Sequence, residues 1–179
     1  MLRLSLLVLL SMLSTWGWTQ SLVVSTHPIY LIAKEVTDGV EEPVLLLGDQ
    51  TGHDVQLTPA HRKAIQDASL VLWLGKVHEA PLDKLLSQNR KAIALLDSGI
   101  LTTLPQRNLR GAALSNTVDS HVWLDPNNAV RIAFFIATLR SQQYPENKAK
   151  YLANARNFGQ QMLQASQQYE SSGKSKPYW

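Results

Sequence analysis

Cysteine is absent from all 179 residues. That excludes disulfides, a thiolate metal site and a lipid-attachment cysteine, so any metal would have to be held by nitrogen and oxygen. Charge of one sign is not in excess either: 17 basic against 14 acidic residues leave a formal +3 at pH 7. The basic residues Arg62, Lys63, Lys84, Arg90 and Lys91 are scattered rather than set in a stripe, which argues against a nucleic-acid partner. No internal repeat or low-complexity segment stands out, and nothing like His-Glu-x-x-His, the metallohydrolase pattern, occurs. The prominent apolar run, Leu4 to Leu13, is shorter than the roughly 20 residues a membrane-spanning helix needs.

What the run does suggest is export. Arg3 precedes it and small or polar residues from Ser14 to Thr19 follow it, the layout of a signal peptide over residues 1–19 with cleavage near Gln20. Without Arg3 the balance falls from +3 to +2. The mature chain is then expected to be soluble and periplasmic.

From Ser21 onward, short apolar segments alternate with amphipathic ones. Strands are expected at Ser21–Thr26, Pro43–Leu47, Ser69–Leu74 and Ala92–Leu96, with helices from Pro28, from Pro59 (capped by Thr58) and from about Glu79. Continuous apolar strands spaced by helices predict an α/β fold: a parallel four-stranded sheet flanked by helices, in residues 20–143. A long loop, Asp97 to Ser120, comes next. Residues 144–172, started by Pro145, read as one long helix of the kind that joins two lobes. Residues 173–179 look like the run-up to a further strand. With one lobe present, Tyr151, Phe158 and Met162 on that helix are expected to be partly exposed, and the chain to be prone to association.

The densest chemistry lies in Asp119-Ser120-His121-Val122-Trp123-Leu124-Asp125-Pro126-Asn127-Asn128-Ala129. Asp125 suits a helix N-cap and Pro126 the first helical position. The run Val130, Ile132, Ala133, Phe134, Phe135, Ile136 and Leu139 predicts a helix buried on most sides. His121 should sit in a short extended segment ahead of it, held as a metal ligand or catalytic base must be. The alternative is a capped helix preceded by a buried, hydrogen-bonded histidine. His53, in Gly52-His53-Asp54 after the second strand, lies at the edge where open parallel sheets bind ligands. His53 and His121 could share a divalent ion such as Zn²⁺, with Asp119 or Asp54 on the far imidazole nitrogen. His61 and His78 read as solvated residues, and His27 as an ordinary loop histidine near the same edge.

Several segments in order, Val23-Val24-Ser25-Thr26-His27-Pro28-Ile29, Thr37-Asp38-Gly39-Val40, Gly52-His53-Asp54 with Thr58-Pro59, and Asp67 to Gly75, resemble the metal-binding proteins of bacterial ABC uptake systems. His121 to Ala129 and Tyr151-Leu152-Ala153-Asn154 extend the resemblance, which is to the zinc-uptake branch of the TroA-like family and covers nearly all of the mature chain. It implies that His53 and His121 are metal ligands of an N-terminal lobe. It also implies a linking helix to a second lobe carrying a third ligand and a carboxylate, and delivery of the ion to a membrane permease. Zinc is the implied metal, Mn²⁺ the less favoured one. The full-length protein would be monomeric. The sequence stops where that second lobe would begin, so the half-site should bind weakly. The loop 97–120 has no histidine, unlike the metal-collecting loop of many zinc-branch members. A secreted zinc metallohydrolase domain and a metal-dependent adhesin are the competing readings, and only the hydrolase would make or break a bond.

Overall fold

Successive residues of β1 (Leu22–Val24) face opposite ways, as period-two geometry requires. Leu22 and Val24 enter one apolar core and Val23 the other. β3 (Leu70–Trp73) does the same, sending Leu70 and Leu72 to the first core and Val71 and Trp73 to the second. Strands buried on both faces carry no polar alternation, which is why they read as continuous apolar runs. The computed structural model describes residues 21–48 and 55–173. The expected signal peptide, His53, Asp54 and residues 174–179 lie outside the described residues.

The sheet has the order β2-β1-β3-β4 and is parallel throughout, with β2 (Val44–Leu45) and β4 (Ala92–Ala94) at the edges. The first core is closed by α1 (His27–Thr37), α4 (Pro126–Gln143) and α5 (Lys148–Ser171). The second is closed by α2 (Pro59–Asp67) and α3 (Ala80–Leu86). Three layers result, as the alternating elements predict. Because β3 returns to the far side of β1 from β2, the chain direction across the sheet reverses at β1, and the crevice beyond the carboxyl ends of β1 and β3 is the natural place for a ligand.

Local signals in the sequence set the helix starts. The Thr58 hydroxyl accepts from the His61 N–H, and the His61 imidazole accepts in return from the Thr58 N–H, each at 3.3 Å. Asp125 caps α4 by accepting from the Asn127 N–H at 2.8 Å, with Pro126 first in the helix. α4 buries Ala129, Ile132, Ala133, Ile136 and Ala137 but leaves Phe134 and Arg131 outward. It is therefore a one-sided helix, not one buried on most sides: the i, i+3, i+4 stripe suffices to cover the sheet.

Two expectations about the C-terminal part need correction. The helix begins not at Pro145 but at Lys148, after a 3₁₀ turn over Pro145–Asn147. Tyr151 is not partly exposed but 1% exposed, because its hydroxyl donates to Glu41 Oε1 at 2.9 Å. Glu41 in turn takes Arg140 Nε at 2.7 Å, and a second guanidinium nitrogen bonds its other oxygen. Phe158 and Met162 do remain only partly buried. Among the described residues, no helix is long and apolar enough to cross a membrane.

Candidate metal centre

Three rings meet beyond the carboxyl end of β3. The centroids of His78 and His121 lie 5.5 Å apart with their planes 89° to each other. Trp123 stands edge-on to both, at 5.5 Å from His78 and 5.3 Å from His121. His78 comes from the turn after β3, where Gly75 takes a φ of +117°. The N–H groups of His78 and Glu79 both donate to the Gly75 carbonyl, at 3.1 and 2.9 Å. This turn folds the chain back over the sheet edge, and a side chain at position 75 would be strained there.

His121 and Trp123 come from the segment that leads into α4. Val122–Leu124 is a 3₁₀ turn, and His121 just before it has φ −80° and ψ 44°. The segment is therefore bent rather than extended. The bend lets the Leu124 N–H donate to the His121 carbonyl at 3.1 Å while Asp125 stays at the helix cap. His121 is about half-exposed, its side chain at 48%, so the alternative of a buried histidine before a capped helix does not describe it.

The tripeptide Asp119-Ser120-His121 fixes both imidazoles. Asp119 Oδ1 accepts from the His121 N–H at 3.0 Å and lies 2.7 Å from its Nδ1. A carboxylate can only accept, so Nδ1 carries the proton, and in the neutral imidazole Nε2 has the lone pair, the tautomer a metal ligand needs. These two bonds, the backbone one first, hold the Asp119 carboxyl below its ordinary pKa. Ser120 is buried, and its hydroxyl bonds His78 Nδ1 at 2.8 Å. Asp119 is itself tethered: its N–H donates to the Leu104 carbonyl at 2.7 Å. The same loop is clamped to α4 by Asn128, which accepts from the Thr102 N–H and donates to the Thr102 carbonyl.

Next to His78 in the chain, Glu79 belongs to a set of buried polar groups that includes Ser25 and Thr26. Glu79 is fully buried, and its Oε2 accepts from the Leu74 N–H at 2.6 Å. Burial pushes its pKa up to about 6, partly offset by that N–H and by the nearby Ser25 hydroxyl. Ser25 Oγ, Thr26 Oγ1 and Glu79 Oε1 are buried with no hydrogen-bond partner of ordinary geometry among the described residues.

Of the residues singled out from the sequence, His121 and Asp119 are together. His53 and Asp54 fall outside the described residues. His61 is committed to capping α2, and His27 is exposed at the start of α1. His78 is the correction: it is 6% exposed, not solvated. The strand-end argument that singles out His53 applies equally to His78, five residues past Trp73. Glu79 went unnoticed because an acid before a short helix ordinarily reads as an exposed first-turn residue. Among the described residues, no three histidine, cysteine or acidic side chains are grouped so as to hold a metal ion.

Residues 22–178 match the family described as zinc-uptake complex component A, periplasmic. The chain belongs to this zinc-uptake family. A high-affinity zinc uptake system protein of Yersinia pestis is 31% identical over 80% of this chain and 53% of its own length. The Brucella abortus protein of the same name is 27% identical over 82% of this chain and 56% of its own. The chain thus spans about half the length of these zinc-uptake relatives. The solved structure of the Streptococcus pneumoniae AdcAII protein has the same fold, with a TM-score of 0.69 over 90% of this chain and 60% of that one, at 23% identity.

Proposed function

We infer that this chain is the metal-capturing N-terminal lobe of a periplasmic zinc-binding component of an ABC uptake transporter. It captures Zn²⁺ and delivers it to a membrane permease. The observation that carries the reading is His121: a half-exposed imidazole beyond the sheet's carboxyl edge, with Nδ1 held by Asp119 so that Nε2 presents its lone pair. Membership of the zinc-uptake family over residues 22–178 supports it. His53 is assigned as the second ligand of this lobe. Capture exchanges the water shell of the ion for neutral imidazoles, and the chain works as a binding component, with no bond made or broken. Export by a signal peptide over residues 1–19 puts it in the periplasm, and α5 links it to a second lobe.

Equilibrium dialysis of the chain purified from the periplasmic fraction tests this. Zinc should be retained in preference to manganese at equal concentration, and mass spectrometry should find an N-terminus near Gln20. Preference for manganese, or an intact Met1 in the cytoplasmic fraction, would contradict the reading.

A further inference from the structure

His78 has no role in the reading above, yet it is more tightly placed than His121. We propose that His78 is a further zinc ligand of this lobe, coordinating through Nε2 beside His121; the inference rests on the zinc reading of His121. Two imidazoles on one tetrahedral ion, at about 2.0–2.1 Å from metal to nitrogen, put their ring centroids about 5.2 Å apart. The centroids of His78 and His121 are 5.5 Å apart with the rings perpendicular, a separation that matches the one a shared ion requires.

The nitrogens are sorted the right way. His121 Nδ1 is held by Asp119 and His78 Nδ1 by Ser120, at 2.7 and 2.8 Å. The same tripeptide therefore turns both Nδ1 atoms away, and coordination would use Nε2 of each ring. An outer hydrogen bond of this kind is the usual support of a ligating histidine. The Asp119 carboxylate sets both tautomer and ring orientation of His121, while the Ser120 hydroxyl, which can donate or accept, orients the His78 ring and accepts from its Nδ1–H when Nε2 binds metal. Rigidity comes from Trp123, whose indole edges pack on both rings, and from the Gly75 turn that carries His78 to this edge. The competing account is a core histidine satisfied by Ser120 and Trp123, since ring pairs pack edge-to-face at similar separations. Packing alone does not respond to metal.

The test reads each imidazole separately. Long-range ¹H–¹⁵N spectra of the histidine-labelled chain are recorded without metal and through a ZnCl₂ titration. The expected result is that Nε2 of His78 moves to the metal-bound position along the same titration curve as Nε2 of His121, while His61 stays put. Movement of His121 with His78 unmoved overturns this inference and leaves the zinc reading standing. If neither moves, both fail. As a second measurement, His78→Gln and His78→Phe, the latter keeping the ring's packing, should each weaken zinc binding by about tenfold or more. Unchanged affinity in a folded His78→Phe chain would count against coordination.

Discussion

Asp119 binds His121 twice through one oxygen, once at the backbone and once at Nδ1. Asp119→Asn keeps an acceptor for the backbone bond but removes the charge that supports the ligand imidazole. Zinc affinity should fall by about 10–100-fold with little change in folding, as calorimetry and denaturant melts on the same variant would show. Glu79 makes a different prediction. Its folded pKa of about 6 lies above its ordinary value of 4.5. The folded state therefore favours the protonated carboxyl, and this contribution to stability is complete below about 4.5 and is lost as pH rises through about 6. The loss is on the order of 2 kcal/mol. In Glu79→Gln, urea melts of the metal-free chain should lose this slope and show higher stability at pH 7.5; an unchanged slope would assign it elsewhere. Asp119 beside His121 was legible in the sequence because the two are neighbours in the chain. His78 was not: its partner Ser120 lies 42 residues away, and only the fold closes that distance.

The elements themselves were legible where the local signals are strong. Continuous apolar strands, the Thr58-Pro59 and Asp125-Pro126 starts and the parallel sheet are all present. The departures occur where tertiary contacts decide. The segment around His121 bends into a 3₁₀ turn because the His121 and Val122 carbonyls are taken up by Leu124 and Asp125, a choice no periodicity announces. The turn after β3 rests on Gly75, and its φ of +117° suits no side chain. A Cβ there would meet Ala94 Cβ at 3.5 Å and Leu96 Cβ at 3.7 Å. The space is adequate, so the cost of Gly75→Ala is backbone strain, about 1–3 kcal/mol. Thermal unfolding should show that loss, and the turn's displacement should weaken zinc binding as well. A variant as stable as the parent would mean that the turn relaxes freely.

Across the whole molecule, the buried trio of Arg140, Glu41 and Tyr151 ties α4 and α5 to the loop between α1 and β2. Arg140 is fully buried and the Glu41 side chain is 7% exposed, and 99 residues separate them in sequence. Glu41 stands in an acidic, proline-flanked stretch that reads as a solvated turn, so its burial and that of Tyr151 were hidden. Breaking such a pair from one side strands a charge: Glu41→Gln should cost about 3–5 kcal/mol in urea melts. Arg140→Met with Glu41→Leu should cost much less than the two single changes together, and strict additivity would argue that the pair does not act as a unit. Held in this way, the lobe can serve zinc uptake only if its histidines capture the ion. Calorimetric zinc titration of the metal-free chain beside His121→Ala, His53→Ala and His61→Ala tests that most directly. His121→Ala and His53→Ala should each lower the affinity by about tenfold or more, while His61→Ala, which removes only a helix cap, leaves it unchanged. Loss of zinc binding in His61→Ala with retention in His121→Ala would contradict the account.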